Sequence, residues 1–233
     1  ATGKLRIGGT GDVRLTDTGT VSTGYLSIPS MAFVDVKTGG HFSITVDFDM
    51  GDPHGAFTAA PGLTGRTGPR LTVEDSSTVT VGDWLNLNGG NAGFVHVFSG
   101  GSVTIWALDA GAGDAGCAAP TLKISGTGSK LIATNRAIVA TAAAGDAPKV
   151  EVHSAGQFIV DTDRGSGRLD IGAGSAQAKD QLLIDTGGYA TAQIANFGSA
   201  ASALGSYVKV TVTGDGSKLE VFDTTTLGDG LIV

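Results

Sequence analysis

Apolar residues in this chain come in pairs separated by one outward residue, and each pair runs into a short turn before the alternation resumes. The pairs are Leu5/Ile7, Val34/Val36, Leu71/Val73, Val95/Val97, Leu122/Ile124, Val150/Val152, Leu182/Ile184 and Val210/Val212. The turns that follow them read "GGTG", "KTGG", "EDSS", "FSGG", "SGTG", "HSAG", "DTGG" and "TGDG", and strands such as "FSITV", "VTI", "FIV" and "LEV" come next. A two-residue period bounded by Gly, Ser and Asp predicts short strands. No window carries a 3.6-residue apolar stripe, so helix is expected to be nearly absent.

The first members of successive pairs lie 24 to 37 residues apart, with a mean of about 29, which is a repeat length. A unit of that size cannot bury its own apolar face, and the faces must be covered by stacking unit upon unit. The sequence therefore predicts an all-β, single-domain parallel β-helix over residues 1–233, right-handed, of about eight coils, each with room for three strands and three turns. The sixteen paired residues are its expected core ladder. One coil is longer than the rest and predicts an inserted loop near residues 47–70.

Two phrases, "LKISGTGSKLIA" at Leu122 to Ala133 and "VTVTGDGSKLEV" at Val210 to Val221, are nearly alike. Their glycines, Gly126, Gly128, Gly214 and Gly216, suit corners that need left-handed backbone. Ser129 and Ser217 are placed to bond nearby backbone groups or their counterparts in the stack, and Lys130 and Lys218 are expected in water. A phosphate-cradling loop would require a strand-turn-helix setting that the pattern lacks, so the phrase reads as a structural corner.

Composition narrows the picture. With 38 Gly against 9 Phe, 3 Tyr and 2 Trp, the interior must be thin and filled by Val, Ile, Leu and Ala. The net charge of −7 and the absence of a basic run argue against nucleic acid. Cys117 stands alone, so no intrachain disulfide forms, and a lone thiol among small residues reads as packed or idle. No apolar run approaches a membrane span, and no signal peptide is evident. Beginning at Ala1 within a repeat, the chain reads as a processed protein or a portion of a longer one.

The phrases "TGDGSKLEV", "SGGSVTI" and "SGTGSKLIA" resemble the degenerate repeats of β-helical autotransporter-type adhesin passenger domains and of related bacterial or phage surface solenoids. Similar coils occur in virion fibres and in pectate-lyase-like enzymes. The resemblance implies the fold, and with it an extracellular, cell-surface or virion setting.

Candidate chemistry concentrates in the long coil, "DFDMGDPHGAFTAAPGLTGRTGPR", because excursions from a regular scaffold are where function gathers. Asp47 and Asp49 fall on one face of an extended strand, roughly 7 Å apart, within the range of an inverting glycosidase pair. With Asp52, His54 and Arg66 they form a candidate carbohydrate or cation site, Ca²⁺ being the cation that oxygen ligands would suit. Otherwise no cofactor is expected, and His41, His96 and His153 read as solvated surface residues.

The outward residues within the pairs, Arg6, Asp35, Thr72, His96, Lys123, Glu151, Leu183 and Thr211, are mixed and charged. That disfavours an ice-binding array and predicts opposite charges on adjacent rungs at Arg6/Asp35 and Lys123/Glu151. Two function classes follow. The first is a non-catalytic structural or adhesive module that presents loops; the second is a polysaccharide-cleaving enzyme beside Asp47 to Arg70. The ends lack an evident cap, which predicts self-association or a flanking protein there, with Leu231 to Val233 beginning another strand. A host-surface or polysaccharide ligand is the expected outside partner.

Overall fold

The computed structural model describes residues 4–6, 12–28, 32–50, 68–87, 93–111, 120–140, 148–160, 167–172, 181–198, 208–228 and 231–232. Within them the chain is all-β, with every strand pairing parallel to its equivalent in the neighbouring coil. It is a β-solenoid, and the eight expected coils are roughly matched.

One wall is a nine-stranded sheet of short, regular strands, called here the straight sheet. Its strands run Asp12–Thr16, Phe33–Lys37, Arg70–Val73, Phe94–Phe98, Thr121–Ser125, Lys149–His153, Gln181–Asp185, Val208–Thr213 and Leu231–Ile232. The other walls belong to a twelve-stranded sheet, the bent sheet. In several coils it is crossed by a single long strand, as in Thr78–Asn86, Ser102–Gly111 and Lys130–Ala140. In others the strand is broken in two, as in His41–Ile44 with Phe48–Met50 and in Gln157–Val160 with Arg168–Ile171. The three expected strands per coil are thus a straight one and the two halves of a bent one.

Along the straight sheet the register stacks Val34, Leu71, Val95, Leu122, Val150, Leu182 and Val210 in one column and Val36, Val73, Val97, Ile124, Val152, Ile184 and Val212 in the next. A parallel ladder repeats the inward side at each coil, so one β-branched or leucine residue recurs per column. These side chains are buried, except that Val212 is 43% exposed. Among the described residues the last strand pairs with Val208 and Lys209 of its neighbour.

The first rung differs from the sequence expectation. Leu5 pairs with Leu26 in the bent sheet, and the straight sheet begins with Val13 and Leu15, which stack beneath Val34 and Val36. Ile7 lies outside the described residues, as do Cys117 and Val233. Arg6 accordingly does not stand below Asp35; Arg14 does, with its guanidinium 4.0 Å from the carboxylate. Lys123 stands beside Glu151 as expected. Leu231 and Ile232 do form a strand.

The corners between the two sheets explain the twin phrases. Ser125 pairs with His153 and Lys130 with Gln157, so residues 126–129 turn the corner where the next coil uses 154–156. Likewise 214–217 stand over 186–188. The near-identical phrases are therefore corners with one extra residue, and Gly126 and Gly214 hold the added position at φ of 93° and 83°. Ser129 Oγ accepts the Gly100 backbone N–H of the preceding coil at 3.0 Å, and Ser217 Oγ accepts that of Gly187 at 3.1 Å. The phrase is a clamp between coils. Ser77 makes the same contact to Gly39 N–H from a three-residue corner.

Candidate functional site

Asp49 lies in the strand Phe48–Met50, where Phe48 and Met50 face the core and leave Asp49 on the outer side. It is nevertheless only 2% exposed. The Tyr25 hydroxyl donates to Asp49 Oδ2, and the Asn86 amide donates to Oδ1 at 2.7 Å. Asp47 precedes the strand, and its Oδ1 accepts the Trp84 backbone N–H at 3.1 Å. The two carboxylates expected to share an extended strand thus hold different partners: Asp47 ties the bend to the next coil, and Asp49 is enclosed by side chains. Asp52, His54 and Arg66 lie outside the described residues.

Asp83 adds a third carboxyl to this corner. Its pKa is raised, first by partial burial and then by the negative charge of Asp47. The bend is thereby an acidic spot in which one carboxyl is easier to protonate than an ordinary surface aspartate.

The register exposes a polar column that sequence reasoning did not find. Ser27, Asp49, Asn86, Asp109, Ile138, Asp170, Asn196 and Thr226 occupy one outward position on eight successive coils. Within it an Asn-above-Asp pair occurs twice with the same geometry. Asn86 donates to Asp49, and Asn196 Nδ2 donates to Asp170 Oδ1 at 2.7 Å. The available signal is an apolar-Asp/Asn-apolar triplet late in the coil: "FDM", "LNL", "LDA", "LDI" and "ANF".

Asp170 is fully buried and carries the densest set of partners. Arg136 meets its Oδ2 through Nε at 2.7 Å and Nη2 at 2.6 Å, while Arg168 Nε reaches Oδ1 at 2.7 Å. A buried carboxylate needs such charge-assisted bonds to offset its desolvation. Both aspartates are therefore held as acceptors by groups of neighbouring coils, an arrangement that ties the stack together.

On the straight sheet, His96 stacks on Phe98 with ring centroids 4.5 Å apart, meets Phe94 edge-on at 6.0 Å, and faces Ser125 Oγ at 3.2 Å. Burial lowers its pKa, with the charges of Lys123, Arg70 and His153 acting in the same direction. His153 sits between two carboxylates, with Nδ1 2.5 Å from Asp185 Oδ1 and Nε2 3.4 Å from Glu151 Oε2. These two histidines are thus packed residues of the outer face, where solvated ones were expected. His41 is exposed, with its Nδ1 2.6 Å from Thr78 Oγ1. Among the described residues no group of three or more His, Cys, Asp or Glu is arranged to hold a metal ion, and no helix is long and apolar enough to cross a membrane.

Comparison of the chain with protein-family models, with curated proteins and with solved structures finds no significant match in any of the three.

Proposed function

We propose that the chain is a non-catalytic structural or adhesive module, a stiff β-solenoid that presents loops for attachment or assembly at a cell surface or in a fibre. The observation that carries this reading is where the polar groups go. The most enclosed carboxylates of the outer face, Asp49 and Asp170, accept bonds from the coils on either side. A hydrolase or lyase needs a carboxylate or base that can reach its substrate; these serve cohesion of the stack. The last described coil leaves Phe222 at 52% and Leu227 at 62% exposure, apolar surface suited to a flanking coil or a second copy.

The test is turnover. Purified protein incubated with acidic and neutral polysaccharides is expected to release no new reducing ends and no unsaturated products. Release that disappears in Asp49→Asn would overturn the reading.

A further inference from the structure

We propose that the outer face of the bent sheet around Trp84 and Trp106 binds a neutral polysaccharide. The inference rests on the reading of the chain as an attachment module and supplies the ligand class for it. The chain has two tryptophans, and both are brought to this one bend. Between Ile105 and Ala107 the register slips, with the single residue Trp106 opposite Gly82 and Asp83 of the coil before. The bulge turns the Trp106 indole outward, and it is 37% exposed. Its ring meets that of Trp84 edge to face, with centroids 5.7 Å apart and planes at 74°, so the two present apolar surfaces nearly at right angles.

Indole surface beside hydroxyl and amide groups is the chemistry that recognises a sugar, whose ring offers C–H groups on its faces and hydroxyls at its rim. Both partners are at hand on adjacent rungs. Thr80 and Thr104 pair on the outward side before the bend and supply the hydroxyls; after it Asn86, whose Nδ2 also donates to Asp49, pairs with the carboxylate Asp109. Each lies about 7 Å along its strand from the next outward position, and adjacent rungs are about 4.8 Å apart. The result is a polar strip on two adjacent rungs, interrupted by the bend that carries the indoles.

Charge selects the polymer class. In these two coils the outward positions ahead of the bend carry hydroxyls, whereas the straight sheet presents Arg70, Lys123 and Glu151 and the last coil of the bent sheet presents Lys218 and Glu220. The bend itself holds two carboxylates, Asp47 on the backbone N–H of Trp84 and Asp83 beside Trp84 in the chain, so negative charge is already concentrated next to the indoles. An anionic polymer is disfavoured there, and a neutral one is not.

Affinity electrophoresis of the whole chain through gels containing β-glucan, xylan or galactomannan, with alginate as the anionic comparison, tests the proposal. Retardation by at least one neutral polymer is expected, with Trp106→Ala weakening it about tenfold or more and Trp106→Phe weakening it less. Thr80→Glu, at an exposed position, should weaken it as well and decides the matter if Trp106→Ala unfolds. No retardation by any neutral polymer, retardation by alginate alone, or retardation indifferent to Trp106→Ala and Thr80→Glu would each overturn it. Reducing ends measured in the same gels keep the two readings apart: product release defeats the non-catalytic reading, and loss of retardation defeats only the ligand.

Discussion

Two kinds of corner join the sheets, and they solve the same problem in opposite ways. At Gly101, Gly156 and Gly188 the corner ends against the backbone of the preceding coil. A Cβ there would stand 2.3 Å from Val73 O, 2.7 Å from Ile124 O and 2.2 Å from Val152 O respectively. At Ser77, Ser129 and Ser217 the same position carries a side chain that reaches back and binds a corner N–H of the coil before. Glycine lets coils approach by having nothing to collide; serine holds them by accepting a corner N–H of the coil before, one that at Gly39 also donates to Asp75 O at 3.1 Å. Each serine clamp lands on a coil whose own corner ends in glycine: Ser77 on that of Gly40, Ser129 on that of Gly101, and Ser217 on that of Gly188. Among the described residues a serine clamp thus never stands directly on another, whereas glycine stands on either kind: Gly101 on the corner of Ser77, Gly156 on that of Ser129 and Gly188 on that of Gly156.

The largest break in this comparison is Gly188→Ala. The added methyl would meet Val152 O at 2.2 Å, its carbonyl carbon at 2.8 Å and Asp185 O at 3.0 Å. All three are backbone atoms tied into a parallel ladder, so the strand itself must shift. We expect a loss of about 3 kcal/mol, read as a lower urea midpoint. A variant that melts with the wild type would show that the coils are not held so closely.

The straight sheet was legible in the sequence because its columns repeat at every coil without interruption. Val34/Val36 through Val210/Val212 could be read from alternation alone. The first rung was misread because "KLRI" and "DVRL" alternate equally well; only pairing with Leu26 or with Val34 decides which sheet each joins. The column of Asp49, Asn86, Asp109, Asp170 and Asn196 escaped because it lies beyond the bend. There Trp106 alone spans a bend that takes Gly82 and Asp83 in the coil before and Thr134 and Asn135 in the coil after. A spacing that changes by one residue between coils erases a two-residue period. The partners of Asp49 and Asp170 were out of reach for a second reason: Tyr25 is 24 residues from Asp49, and Arg136 is 34 from Asp170. Such contacts appear only once the coils are stacked.

A middle-sized effect belongs to the serine clamps. Ser129→Ala keeps the corner backbone and removes the acceptor of Gly100 N–H beneath a fully buried side chain. A part-buried donor that loses its partner costs about 1 kcal/mol. Hydrogen exchange sharpens the measurement, since the amide of Gly100 should lose protection while that of Gly187, held by Ser217, keeps it. Equal loss at both amides would mean that the clamps do not act corner by corner.

Gly19→Ala is the smallest effect and the sharpest control. Gly19 ends the first described corner, the place that Gly40 takes in the next coil, since Thr16 pairs with Lys37 and Thr20 with His41. A Cβ on Gly19 meets nothing within 4 Å, and its backbone is not in the left-handed region. Its carbonyl accepts the His41 N–H at 2.9 Å, a bond that alanine preserves. Stability should therefore stay within about 0.5 kcal/mol of wild type, against the large loss expected for Gly188→Ala. If the two substitutions prove equally damaging, the penalty comes from the corner's own conformation. If Gly19→Ala is silent, the penalty at Gly188 belongs to the coil beneath it, and glycine at these corners is a requirement of stacking.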